Sequence, residues 1–292
     1  MKILVIGGVA AGTKAAAKWK RENRADQVVL LTKSADISYA GCGLPYYVGG
    51  SIENREELIV NTPQKYRGLT GVEVLTLREA THVDPAAKVV TVQNLENGQE
   101  ETYGYDKLIV ATGASAVKLP LPGVDLHGVF PMRAPEDAIP MRDYLEANGV
   151  KKAVVIGGGF IGLELAENLF DRGIAVTVVE VASQILSGVL DGEMAGYVQR
   201  HLQQKGIRVL TGTKATALVG DGKVEGVQTD AGLLPCGAVV VSAGIRPNTA
   251  FLEGTGIQME KGAIVVDECL ATSVADIYAA GDAVQIPNRA TG

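Results

Sequence analysis

Two stretches about 150 residues apart repeat one pattern: KILVIGGVAAGTKAAA near the start and KKAVVIGGGFIGLELAENL in the middle. Each reads as a short apolar strand, a glycine turn and a helix, the first with its strand over 3–6 and its helix over about 13–24. A chain that repeats this unit is confined to α/β folds with a mostly parallel sheet. Further β-rich stretches at 72–77, 89–94, 107–112, 209–218, 226–229 and 238–243 predict a duplicated architecture with antiparallel excursions. The length of 292 residues allows about two domains. The Pro-rich piece LPLPGVDLHGVFP, 119–131, is the expected linker.

The second copy is complete. Gly157, Gly159 and Gly162 form GxGxxG between the strand 153–156 and a helix. In such a turn the first glycine permits the sharp reversal, the second lets pyrophosphate approach the backbone, and the third lets helix pack closely on strand. The helix N-terminus then faces the phosphates. The next strand, AVTVVE, ends at Glu180, 23 residues beyond Gly157, where an acid can accept hydrogen bonds from an adenosine ribose. Val181, Ala182 and Ser183 follow, with no arginine to hold a 2′-phosphate. NADH is therefore expected in preference to NADPH.

The first copy is imperfect. Gly7 and Gly12 fit, but Val9 stands at the middle glycine's position and the strand VVLLT ends in Thr32 instead of an acid. A dinucleotide can still set its pyrophosphate on the helix N-terminus, with Thr32 or Lys33 as partner for the adenosine ribose.

The 36 glycines exceed the level of roughly 7% in average proteins and need a backbone reason. The net charge of -6 argues against a general nucleic-acid or anionic-membrane binder. No window holds the roughly 18 apolar residues that a spanning helix requires. Lys2 ahead of an apolar stretch imitates a signal peptide, yet the stretch reads better as a buried strand. Three cysteines are too few for a disulfide framework and suit a reducing cytoplasm. His82, His127 and His201 are scattered without ligand spacing, so no metal is expected.

Cys42 lies in ISYAGCGLPYYVGG, between two glycines and with Pro45 three residues on, as a chain entering a helix is written. A cysteine there meets the partial positive end of the helix, which favours thiolate. Ile37 and Tyr47 sit five residues to either side, so Cys42 has no CxxxxC partner and must work alone. Cys236 and Cys269, in LLPCGAVVV and IVVDECLAT, read as core or packing residues in strand-like settings. In the first helix Lys14, Lys18 and Arg21 recur at i, i+4 and i+7 and share one face. With Lys20, Arg24 and the single acid Glu22, residues 13–24 carry a local charge of +4. Such a stripe suits a phosphorylated substrate such as CoA. Trp19 lies about 100° around the helix from Lys18 and reads as packing.

Six motifs in order carry a resemblance that spans the chain: GGVAAG, SYAGCGLPYY, YDKLIVATGA (105–114), GGGFIGLE, AGIRPNT (243–249) and TSVADIYAAGDAV (272–284). Together they resemble the FAD-dependent pyridine nucleotide-disulfide oxidoreductases, in the single-cysteine branch of CoA-disulfide reductases, NADH oxidases and NADH peroxidases. The resemblance implies an α/β, glutathione-reductase-like fold of two Rossmann-like domains, the second inserted in the first. Residues 1–117 and 245–292 would form the FAD-binding domain and 118–244 the NAD(H)-binding domain. It implies that Gly7, Val9, Ala11, Gly12, Thr112, Gly113, Gly281 and Asp282 line the flavin, with Asp282 on the ribityl chain. Ile161 and Gly244 would join the NADH set, Phe160 would shield the flavin face and Glu164 would orient the nicotinamide. Ser38 would join Lys14, Lys18 and Arg21 around CoA. The implied activity is an electron relay from NADH through FAD to Cys42, which reduces a small disulfide such as CoA disulfide, polysulfide or persulfide.

Departures from the family pattern shape the competing readings. Ala10 stands where the peroxidases and water-forming oxidases of this branch carry a histidine, which favours the disulfide-reducing reading over a sulfenic acid cycle. Gly41 stands where CoA-disulfide reductases usually carry asparagine, which loosens a narrow CoA assignment. The chain stops soon after the second flavin motif, so the family's third domain, which dimerises, is expected to be missing from it. A truncated FAD- and NADH-binding scaffold is the reading from another class.

Overall fold

The computed structural model describes residues 1–286. The chain forms two compact units, Met1–Tyr39 with Ile59–Ser115 and Arg246–Gly292, and Ala40–Leu58 with Ala116–Ile245. The expected boundaries at 117 and 245 fall close to these joins. The segment 40–58, which carries Cys42, goes with the second unit. Residues 287–292 of the expected FAD-binding domain lie outside the described residues.

The first unit is built on five parallel strands in the order Ile277–Ala279, Lys107–Val110, Lys2–Ile6, Gln27–Leu31 and Glu73–Leu75. Ile3, Leu4, Val5 and Ile6 are all buried, because helices and a second sheet cover both faces; continuous apolar runs are what such a sheet demands. The helix Ala10–Glu22 starts directly after the glycine turn, three residues earlier than expected, and buries Gly12, Thr13 and Ala16. An antiparallel sheet of Arg78–Asp84, Val89–Asn94 and Glu100–Gly104 is the excursion.

The second unit repeats the plan with the order Arg208–Leu210, Ala175–Val179, Lys152–Ile156, Ala238–Val241 and Val129–Pro131, all parallel. The helix Phe160–Asp171 buries Leu165 and Leu169 completely, each such leucine stabilising the fold by roughly 1.5–3 kcal/mol. Strand order reverses beside Lys2–Ile6 in one unit and beside Lys152–Ile156 in the other, the topological switch at which open α/β sheets receive ligands.

Three local expectations are corrected. The stretch 209–218 is two strands, Arg208–Leu210 and Ala215–Val219, parted at Gly212, whose φ of 60 turns the chain. The expected linker 119–131 is no free connection: Leu119, Leu121, Val124, Leu126 and Val129 pack on the core of the second unit, and Val129–Pro131 is its edge strand. Cys269 is exposed in the turn after Ala263–Val265, where its N–H donates to Asp267 Oδ1 at 2.9 Å. Ile264 and Val266 are buried ahead of it, whereas Leu270 beside it is exposed.

Candidate nucleotide-binding turns and redox cysteine

The two glycine turns are held by corresponding bonds. Gly7 N–H donates to Leu31 O at 2.8 Å and Gly157 N–H to Val179 O at 2.9 Å. Ser38 N–H reaches Gly8 O at 2.7 Å, as Leu186 N–H reaches Gly158 O at 2.9 Å. Gly7 and Gly157 have φ of 118 and 115, open to glycine and strained for any other residue. A Cβ on Gly12 would lie 1.9 Å from Gly7 O, and one on Gly162 would lie 2.1 Å from Gly157 O. The chain itself therefore forces the first and third glycines.

The middle position differs in kind. A Cβ on Gly159 would meet nothing within 4 Å, and Val9 sits in the other turn with φ of -103, which any residue adopts. Only a ligand pressed against the turn needs a glycine there. The helices Ala10–Glu22 and Phe160–Asp171 both begin without a side-chain cap and without an acid in the first turn. Their first N–H groups thus remain available to an anion. Both turns fit a dinucleotide pyrophosphate.

At the strand ends the units diverge. Glu180 accepts from Gly158 N–H at 2.6 Å and from Ala182 N–H at 2.7 Å, so its carboxylate is fixed at the rim of the turn with lone pairs to spare. Thr32 is buried against Gly8, and Lys33 reaches away to Glu79 at 2.8 Å.

Around the first turn the structure gathers several sequence-predicted positions. A Cβ on Gly7 would come within 3.1 Å of Thr112 N, and one on Gly281 within 3.1 Å of Ala11 Cβ. Gly113 and Gly281 have φ of 61 and 80. Asp282 is exposed beside Gly281. Asn248 was not singled out, yet its Nδ2 donates to Thr112 O at 3.1 Å and its Oδ1 accepts from Ser115 Oγ at 2.7 Å. The only signal was its place in AGIRPNT.

Cys42 is exposed in the tight turn Gly41–Gly43 that leads into the helix Leu44–Gly49, with Pro45 in its first turn. Leu44, Pro45, Tyr47 and Val48 bury this segment, and Gly49 presses on Asn168 of the helix Phe160–Asp171. That helix opens with Phe160, 59% exposed. Ile161 and Glu164 are half-buried one turn in, and Asn168 Nδ2 donates to Glu164 O at 2.8 Å. Gly244, with φ of 104, accepts from Val117 N–H at 3.0 Å. The second glycine turn and the cysteine segment thus belong to one packed body.

Residues 1–292 match the model of the pyridine nucleotide-disulphide oxidoreductases. The chain belongs to this family. The NADH oxidase of Methanocaldococcus jannaschii is 38% identical over 293 residues, covering 100% of this chain and 65% of that protein. The NAD(P)H sulfur oxidoreductase (CoA-dependent) of Pyrococcus furiosus is 35% identical, covering 100% of this chain and 65% of that protein. An NAD-dependent persulfide reductase from A. fulgidus superposes with a TM-score of 0.93 at 38% identity, covering 97% of this chain and 53% of that one. The chain therefore spans about 65% of the length of these curated relatives.

As a pyridine nucleotide-disulphide oxidoreductase the chain belongs to an FAD- and NAD(P)H-binding family. Its remaining candidate residues divide by exposure. Cys236 is buried, and burial pushes its thiol up to about 11, which keeps it protonated. Lys14, Lys18 and Arg21 are all exposed along the helix that opens at the first glycine turn. Lys18 pairs with Glu22, and the two cations, Lys18 foremost and then Arg21, hold that carboxyl below its usual range. Ser38 has φ of 49 and lies beside the same turn, with Asn61 Nδ2 donating to its Oγ at 3.4 Å. Among the described residues no helix is long and apolar enough to cross a membrane.

Proposed function

We propose that this chain is the FAD- and NADH-binding part of a reductase whose Cys42 reduces a small-molecule disulfide such as CoA disulfide, polysulfide or persulfide. The observation that carries the reading is an exposed cysteine, set between glycines, on a segment packed against the helix that opens at the NADH turn. The relatives named as a CoA-dependent sulfur oxidoreductase and a persulfide reductase support the same chemistry.

The turn Gly7–Gly12 with Val9 and Ala11, joined by Thr112, Gly113, Gly281 and Asp282, would hold FAD. Gly157, Gly159, Ile161, Gly162, Glu180 and Gly244 would hold NADH, with Glu164 toward the nicotinamide and Phe160 toward the flavin. The fixed carboxylate of Glu180 favours a free ribose over a phosphorylated one. Residues 1–117 and 245–292 would serve FAD, and 118–244 would serve NADH. A reducing cytoplasm suits such a thiol.

In the reaction the Cys42 thiolate attacks one sulfur of the disulfide, forming a mixed disulfide and releasing one thiolate. Two electrons then cleave that bond, restoring Cys42 and releasing the second thiolate. Bound FAD and NADH would supply those two electrons. Lys14, Lys18 and Arg21, with Ser38, would hold the phosphates when the substrate is CoA disulfide.

A second reading, an NADH oxidase, is favoured by the name of the M. jannaschii relative. Turnover of CoA disulfide, oxygen and hydrogen peroxide with NADH separates the two. The reductase reading expects disulfide turnover to dominate and to vanish in Cys42→Ser. Faster peroxide or oxygen turnover, or an unaffected Cys42→Ser variant, would overturn it. A yellow, NADH-reducible chain that turns over none of them would leave only the scaffold.

A further inference from the structure

We propose that Arg142 and Arg172, bridged by Glu146, form a guanidinium clamp that positions Cys42 by gripping the far end of the helix that follows it. The proposal rests on reading Cys42 as the redox residue. All the groups concerned lie in the second unit.

The cysteine segment has little stiffness of its own. Gly41, Gly43, Gly49 and Gly50 bracket it, and its helix of 6 residues is far shorter than the roughly 12–15 an isolated helix needs. A helix that short leaves most of its carbonyls without partners. Gly50 N–H, at φ of 92, returns to Tyr46 O at 3.0 Å and Tyr47 O at 3.2 Å. Ser51 N–H and Ile52 N–H also return to Tyr46 O, at 2.9 and 3.2 Å, while Tyr47 O and Val48 O accept from arginines of two other helices.

Arg142, on the helix Pro135–Ala147, donates through Nη1 to Tyr47 O at 3.2 Å, Ile52 O at 2.9 Å and Glu53 O at 3.0 Å. Its guanidinium also stacks on the Tyr47 ring, 4.6 Å from the centroid. Arg172, the residue that ends the helix Phe160–Asp171, donates to Val48 O at 2.6 Å. Glu146 accepts from both, at 3.2 Å from Arg142 Nε and 2.6 Å from Arg172 Nη2. The arginines, Arg172 first, hold the Glu146 carboxyl below its usual range.

The consequence is mechanical. Buried Leu44, Tyr47 and Val48 fix the helix laterally, and the clamp fixes it along its axis and about it. The Gly41–Gly43 turn hangs from the other end, so the position of the Cys42 sulfur follows the grip on carbonyls one to two turns away. Arginine suits the task because one planar group can donate along several directions while stacking on a ring. Arg142 and Arg172 are thus positioning residues, remote from the reacting sulfur in sequence and acting through the helix.

The test compares Arg142→Ala, Arg142→Lys and Arg172→Gln in a Cys269→Ser background, so that Cys42 is the exposed thiol. Amide hydrogen exchange over 44–53, the rate of Cys42 alkylation by iodoacetamide, and kcat and KM with CoA disulfide are read separately. Arg142→Ala is expected to speed exchange at 50–52 by about tenfold, change the alkylation rate, and lower kcat while the KM for NADH holds. Arg142→Lys is expected to restore part of each. Exchange and alkylation both unchanged in Arg142→Ala would overturn the clamp, whatever the chain turns over. Failure of the unaltered chain to reduce a disulfide would instead sink the reductase reading, leaving the exchange and alkylation results to decide the clamp. Should Arg142→Ala not fold, Arg172→Gln decides, and unchanged exchange at 48–50 there counts against the proposal.

Discussion

Asn248 grips the Thr112 peptide from two directions: its side-chain nitrogen donates to Thr112 O at 3.1 Å, while Thr112 Oγ1 donates to Asn248 O at 2.7 Å. Asn248 N–H donates to Gly113 O at 2.9 Å as well. Three contacts thus fix the backbone that follows the strand Lys107–Val110, beside the first glycine turn.

Asn248→Ala keeps the backbone bonds and loses those of the side chain, to Thr112 O and Ser115 Oγ. Urea denaturation is expected to show a loss of about 1 kcal/mol, since a hydrogen bond contributes about that much net. The larger effect should be on FAD retained through gel filtration, which falls if this segment lines the flavin. Full retention would remove Thr112 and Gly113 from the flavin site.

Glu180→Gln offers a carboxamide oxygen to one of the two N–H groups that now share the carboxylate, and turns an NH2 toward the other. NADH titrations of the FAD-loaded protein are expected to show an affinity about tenfold weaker. FAD content should not change, because Glu180 belongs to the other turn. Equal affinities for NADH and NADPH before substitution would contradict the preference drawn from this acid.

Cysteine labelling separates the three thiols. Cys42 and Cys269 are exposed and Cys236 is buried, so the folded chain should react at two sites with a chromogenic disulfide and at three in denaturant. Rapid labelling at Cys236 would mean that the core beneath Val154 and Val239 opens easily.

Asp276 reports on acid stability. Lys107 foremost, at 2.6 Å, and then Lys88, at 2.5 Å, hold its carboxyl down to about 2. An unfolded aspartate takes its proton near pH 3.9, so this contribution is whole above about pH 4 and is lost as the pH falls toward 2. Asp276→Asn should flatten the decline in denaturation midpoint across that window. Asparagine tolerates the φ of 67 at this position, which keeps the comparison free of backbone strain. A decline as steep as before would assign acid sensitivity to other carboxylates.

Much of the architecture could be read from spacing because it is local. Gly12 and Gly162 sit where a Cβ would strike a carbonyl of the same turn, and Gly7 and Gly157 hold φ of 118 and 115, so the residue type records the geometry within a few positions. Strands buried on both faces are uninterrupted apolar runs for a similar reason. Arg78–Asp84, where only Val83 is buried, and Glu100–Gly104, which alternates exposed and half-buried residues, are polar strands that carry no such run. Cys269 has strand-like neighbours, yet the turn at 267–270 points it outward.

By itself, then, the sequence determined the two strand, turn and helix units, the glycines they require, and the presence of one cysteine flanked by glycines. Only the tertiary structure decided that 40–58 joins the second unit, that Glu180 is bound to its turn, that Asn248 holds Thr112, and that Arg142 and Arg172 grip the cysteine helix. Each of these depends on polar groups distant in the chain finding one another. Hydrogen bonds of that kind leave no period in the residues that make them.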